Sequence, residues 1–209
     1  LVMGTASLAG FCDTAEGGAA VIVSSDQRGT IDARNDAVTA TIRSDFNYVA
    51  VVGDQNQDGY DDLAFGGVGP VGGDFTSRID VVLGPLVGDV DTTRDAERSI
   101  LGTADIITHE LLAVPDLDGD GRAELTAATG FGSPPVPELY LIWGEPTGTT
   151  TIEQAAFRWT ATDPLGFNMR LAVGDLDGEA GLDLVFSDAS YQVESGGGGV
   201  TWVLPGGSL

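Results

Sequence analysis

The chain is short of positive charge, of cysteine and of long apolar runs. Lys and Arg together number 9 against 32 Asp and Glu, and with a single His the formal net charge is -23. A surface so acidic repels nucleic acid and anionic membranes at long range, which excludes both as expected partners. The one cysteine, Cys12, excludes an intrachain disulfide and leaves only a free thiol or a bond to another chain. No apolar run approaches the roughly 18 residues a transmembrane helix needs, so no membrane span is expected. No basic-then-apolar leader stands at Leu1, and a start without Met is expected of a mature or excised piece. What the chain has instead is glycine, 31 residues against 9 Pro, which points to short strands and turns within 209 residues, enough for one domain with a real core.

Three acidic loops lie between apolar, strand-like runs. The first has Asp54, Asn56, Asp58, Tyr60 and Asp62 at positions 1, 3, 5, 7 and 9, between Val49–Val52 and Leu63–Phe65. The second has Asp116, Asp118, Asp120, Arg122 and Glu124, and the third has Asp175, Asp177, Glu179, Gly181 and Asp183. Alternate carboxylates at positions 1, 3 and 5 point into one concavity. Position 7 offers a backbone carbonyl whatever its side chain, and the acid at 9 closes the shell. Oxygen donors in flexible geometry suit Ca²⁺, whereas Mg²⁺ demands a stiffer octahedron. Up to three structural calcium ions are expected. Glycine at position 6 (Gly59, Gly121) permits the positive φ of a sharp turn. The third loop has Ala180 there and Glu179 at position 5, so it is expected to be the weakest site. An EF-hand is excluded, because its position-12 Glu is here Phe65, Ala127 or Phe186 and the flanks are strand-like.

The loops recur with a period. Asp54 to Asp116 is a step of 62 residues, and Asp116 to Asp175 a step of 59. On this period Ile79–Pro85 aligns with Leu139–Pro146 and with Val200–Gly206, and Ser99–Gly102 aligns with Phe157–Thr160. Each period therefore holds four short strand-like runs, with the acidic loop joining the first to the second. Repeated four-stranded antiparallel units of this size predict an all-β fold, a β-propeller of four-stranded antiparallel blades. Leu1–Ser7 resembles Leu184–Ser190, so the chain opens in mid-blade. The expected organisation is one propeller segment, residues 1–209, of about three and a half blades: a partial blade 1–44, blades 45–105 and 106–165, and a partial blade 166–209. A closed propeller takes 4–8 blades. The expected complement is the remaining blades on another chain, with self-association as the competing account, since unpaired blade edges tend to pair.

The pattern resembles the FG-GAP repeat of integrin α-subunit-type β-propellers. Phe46-Asn47 and Phe167-Asn168 stand where that repeat has Phe-Gly. Val52-Gly53-Asp54 to Asp62-Leu63 is similar to its calcium loop, and Ala64–Gly67 and Ala128–Gly130 lie near its Gly-Ala-Pro. The resemblance implies calcium on the blade hairpins, an extracellular or cell-surface setting, and recognition, adhesion or assembly through a protein or glycan ligand, without catalysis. The alternative is an accessory propeller or carbohydrate-binding module of a secreted hydrolase or lyase.

Other residues read as structural. His109, the only histidine, aligns with Asn47 and Asn168 just ahead of a first strand and is expected to be a polar loop residue. Gly196–Gly199 is expected to be a hairpin loop, since no helix follows to complete a phosphate cradle. Trp143 and Trp202 are expected to fill equivalent third-strand places, packed between blades. Asp89, Asp91, Asp95 and Glu97, interleaved with Arg94 and Arg98, read as a solvated outer turn.

Overall fold

The computed structural model describes residues 18–23, 38–44, 48–71, 74–102, 107–131, 138–145, 147–155, 157–160, 169–179, 181–189 and 198–206. The expectations for Leu1–Ser7, Cys12, Phe46-Asn47, Phe167-Asn168, Ala180, Gly196 and Gly197 lie outside these residues. The fold is all-β, as the pattern predicts, and among the described residues none of its sheets closes on itself. Among the described residues, no helix is long and apolar enough to cross a membrane.

The first described strand, β1 (Gly18–Val23), is antiparallel to β2 (Val38–Ser44). A second sheet follows as an antiparallel meander of β3 (Tyr48–Gly53), β4 (Asp62–Val71) and β5 (Asp74–Val82). The chain then leaves that sheet. β6 (Gly88–Asp91) pairs parallel with β2 of the first sheet. A single helical turn, α1 (Thr92–Asp95), capped by the Asp91 carboxylate on the Thr93 N–H at 3.0 Å, sends it back. β7 (Arg98–Leu101) then completes the second sheet against β5.

The third sheet repeats the route. β8 (Ile107–Val114), β9 (Glu124–Phe131) and β10 (Glu138–Ile142) form the meander. β11 (Gly148–Thr151) crosses back to pair parallel with β7, and a 3₁₀ turn at Ile152–Gln154 leads into β12 (Phe157–Thr160) against β10. β13 (Met169–Gly174), β14 (Asp183–Asp188) and β15 (Val200–Leu204) form the fourth sheet, also antiparallel.

Side-chain alternation along the strands fills the space between successive sheets. In β4, Leu63 and Phe65 pack with Ile42 and Val90 of the first sheet, while Ala64, on the other face, packs toward Leu125, Ala127 and Tyr140 of the third. In β10, Tyr140 and Ile142 face the second sheet, and Leu139 faces Leu184 and Phe186 of the fourth. Strands covered on both faces read as continuous apolar runs rather than alternating ones. The sheets thus stack in chain order, one apolar layer between each pair.

Three expectations are corrected. The stretch from Asp89 to Arg98 is solvated at Asp89, Arg94 and Glu97 but is not a mere turn: it contains β6 and α1, and Arg98 is only 4% exposed, its Nη1 donating to the Trp143 carbonyl at 2.8 Å. Trp143 and Trp202 are not equivalent. Trp202 lies in β15 opposite Phe186, with rings stacked at 5.2 Å, whereas Trp143 follows the end of β10 and is 38% exposed. His109 lies within β8 rather than ahead of it, where the register shifts between Thr108 and Glu110.

The aromatic layer between the third and fourth sheets offers a direct check. Phe186→Ala is expected to destabilise the chain by about 3–5 kcal/mol, read from urea unfolding. A loss under about 1 kcal/mol would mean that the two sheets are not packed as described.

Candidate functional site

The three acidic loops occupy the same place in consecutive sheets, connecting β3 to β4, β8 to β9 and β13 to β14. Each folds over its own backbone. Asp54 accepts from the N–H groups of Asp58 (2.9 Å) and Gly59 (2.7 Å), and Asp116 from those of Gly119 (2.6 Å) and Gly121 (2.8 Å). Asp175 accepts from Gly178 at 2.7 Å. At position 3, Asn56, Asp118 and Asp177 accept from the N–H two residues on, at 3.1, 3.0 and 2.9 Å. At position 5, Asp58 and Asp120 accept from Tyr60 and Arg122 at 2.9 and 2.8 Å. Position 6 is left-handed as expected in the first two loops, at φ +91° for Gly59 and +88° for Gly121. Position 4 is left-handed in all three, at Gln57 (+62°), Gly119 (+82°) and Gly178 (+78°).

The acid at position 9 is buried in each case and holds the base of the loop. Asp62, Glu124 and Asp183 each accept the position-2 N–H, of Gln55, Leu117 and Leu176, at 2.7 Å. The second oxygens of Asp62 and Asp183 accept from Gly84 at 2.7 Å and Gly206 at 3.0 Å, just past the third strand of their sheets. Glu124 differs. Its side chain is fully buried and its Oε1 has no hydrogen-bond partner. Burial, aided by the nearby charges of Asp118 and Asp116, pushes its carboxyl up to about 7. Burial likewise raises Asp62, whereas the hydrogen bonds from Gly206 and Leu176 hold Asp183 below the usual range.

Carboxylate oxygens of Asp116, Asp118 and Asp120 come within 4.8 Å of one another, as do those of Asp175, Asp177 and Asp183. Among the described residues, Asp54, Asp58 and Asp62 do not form such a group. Glu179 stands outside the third group, and Tyr60 and Arg122 point their N–H groups inward at position 7. The donors are all oxygens, which suits a hard cation. Glu124 stands outside the second group, but its orphaned buried oxygen, at the base of the same loop, fits a cation as well.

Sequence reasoning missed several residues that set this geometry. Gln55 is 3% exposed, and its amide donates to the carbonyls of Val52 at 2.7 Å and Ala123 at 2.9 Å, the latter in the neighbouring loop. Gly84, Gly144 and Gly206 abut positions 7 and 8 of their sheets' loops: a Cβ on Gly144 would lie 2.7 Å from the Ala123 carbonyl. The signal for these glycines was present, one per period at the end of the third strand. For Gln55 there was none, because the other loops carry Leu at that position. Comparison with models of known protein families gives no match, and comparison with curated proteins gives none.

Two measurements probe this arrangement. Gly144→Ala is expected to cost about 1–3 kcal/mol by forcing the second loop off β10, and an unchanged melting temperature would contradict the close approach. The second concerns pH in metal-free buffer. Glu124 titrates near 7 in the folded chain against 4.5 for a free carboxyl, so its contribution to stability is lost as pH rises between those values. Glu124→Gln is expected to remove that part of the slope, and an unaltered slope would mean the buried charge is not there.

Proposed function

We propose that the chain is a segment of a calcium-stabilised β-propeller in which each sheet is a blade and the ions are structural. In this reading Asp116, Asp118, Asp120 and Glu124, with the Arg122 carbonyl, hold one Ca²⁺. Asp54, Asn56, Asp58 and Asp62 with the Tyr60 carbonyl hold a second, and Asp175, Asp177, Glu179 and Asp183 with the Gly181 carbonyl a third. Two observations carry the reading: the convergence of Asp116, Asp118 and Asp120, and Glu124 Oε1, buried without a partner in the acid that closes the same loop. Leaving such an atom unpaired is costly in a protein interior, and a cation would satisfy it. The stacking of consecutive sheets, with an acidic loop at the first hairpin of the second, third and fourth, supports the propeller. The likeness to the FG-GAP repeat supports an extracellular or cell-surface setting, with recognition, adhesion or assembly toward a protein or glycan as the role. The remaining blades are supplied by another chain or by self-association.

A ligand that binds only the folded state stabilises it by mass action. With about 1 mM free Ca²⁺ and a Kd of about 0.1 mM, each site contributes about 1.4 kcal/mol. Chelation of three such ions is expected to lower the melting temperature by roughly 10 °C. Asp116→Ala is expected to remove one ion from the calcium stoichiometry measured by calorimetry. An unchanged melting temperature in chelator would defeat the structural role.

A further inference from the structure

We propose that Gln55, Gln57 and Arg122 couple the first two acidic loops, so that Ca²⁺ in either raises the affinity of the other while the third loop binds independently. The coupling rests on the calcium reading above.

Three hydrogen bonds cross between the loops. The Gln55 amide donates to the Ala123 carbonyl at 2.9 Å, Arg122 Nε returns a bond to the Gln55 carbonyl at 2.7 Å, and the Gln57 amide donates to the Asp120 carbonyl at 3.2 Å. Each of these residues lies between two of the proposed ligands of its own loop. The backbone of either loop is therefore set partly by the other. Gln57 holds a left-handed conformation unusual for a residue with a side chain, at φ +62°, while bonded to the neighbouring loop. A cation that orders one loop thus orders part of the second, and the ordering entropy is met once for both. Arg122 adds a charge link. Its Nη1 lies 2.6 Å from Asp120 Oδ2 while its Nε holds the first loop. An ion that takes over Asp120 leaves the guanidinium anchored on the Gln55 carbonyl.

The second and third loops have no chemistry for the same connection. In the second loop the counterparts of Gln55 and Gln57 are Leu117 and Gly119, whose side chains have no hydrogen-bonding groups. The counterpart of Arg122 in the third loop is Gly181, which has no side chain. The link thus belongs to particular residues rather than to the repeat.

That difference supplies the test. Gln55→Leu with Gln57→Gly gives the first loop what the other two carry at those positions and keeps every proposed ligand. Calcium titration calorimetry would be run with the third loop silenced by Asp175→Ala, with the second loop intact or disabled by Asp116→Ala. With the native glutamines, disabling the second loop is expected to weaken binding at the first about fivefold, within the usual range of coupling between sites. With the double replacement that effect is expected to vanish; the metal-free melting temperature falls too, because the Val52 and Ala123 carbonyls lose their donor, so the coupling is read from the ratio of affinities with and without the second loop. Arg122→Met, at a partly exposed side chain, is expected to reduce the coupling as well. An Asp116→Ala effect that is absent with the native glutamines, or equal with and without them, would overturn the coupling and leave the calcium reading standing. No calcium uptake by the native chain would overturn both.

Discussion

A buried carboxylate accepting the backbone N–H seven residues before it is the bond on which each acidic hairpin depends. It recurs at 2.7 Å from Asp62 to Gln55, from Glu124 to Leu117 and from Asp183 to Leu176. The acid stands at the first residue of the second strand, and the N–H stands at the second residue of the loop. Their bond closes the loop at its base and sets where β4, β9 and β14 begin. Asp62 and Asp183 spend their other oxygen on Gly84 and Gly206, which ties the end of the third strand to the same point. One short side chain thereby joins three strands of its sheet. Glu124 is a methylene longer, makes only the first of these bonds and keeps Oε1 free. The loop whose first three acids converge is thus also the one whose basal acid is least satisfied by the protein.

These acids are placed where a charge is hardest to keep. Asp62 and Glu124 are covered by neighbouring sheets, and burial raises both. Asp183, in the fourth sheet, is held below the usual range by its two backbone donors instead. The same sequence position therefore has opposite electrostatics according to what lies beside it. In a chain of net charge -23, a carboxylate raised by burial is costly to ionise, and that cost falls on Asp62 and Glu124.

The parts of the fold legible in the sequence were those written in side-chain pattern. The acidic loops, the runs flanking them and the third- and fourth-strand rows all emerge as strands or hairpins where the period places them. The loop turns were legible at Gly59 and Gly121 but not at Gln57, because a left-handed residue with a side chain leaves no compositional mark. β6 and β11 were not legible either. Gly88–Asp91 and Gly148–Thr151 are four residues each, rich in Asp, Thr and Gly, and their strand conformation comes from pairing with a neighbouring sheet rather than from any apolar pattern of their own. Arg98 was misread for the same reason: a charged residue looks solvated until the carbonyl that receives it, Trp143, is seen to come from the next sheet. Trp143 and Trp202 were misaligned because identity of residue type was allowed to outweigh the glycines. Gly144 and Gly206, which both abut a loop, set the register, and that register pairs Trp202 with Tyr140.

The exchanged strands explain why the sheets need one another. β6 leaves the second sheet to extend the first, and β11 leaves the third to extend the second, each in parallel register beside an outer strand. In both cases the next residue is buried, Thr92 at the start of α1 and Ile152 at the start of the 3₁₀ turn. The first and second sheets are therefore each finished at an outer edge by a segment of the successor, while the acidic loops of the second, third and fourth sheets sit on hairpins that include an edge strand. Between the two edges lies the apolar layer that alternation builds. A sheet removed from this series would lose an edge strand, a covered face and, for the second and third sheets, the hydrogen bonds through Gln55 and Arg122. Stability in such an array resides in the interfaces between neighbours more than in any one sheet. The acidic loops need not lie near a ligand to matter under that arrangement. In the second, third and fourth sheets they close the base of the hairpin whose strands carry the packed faces.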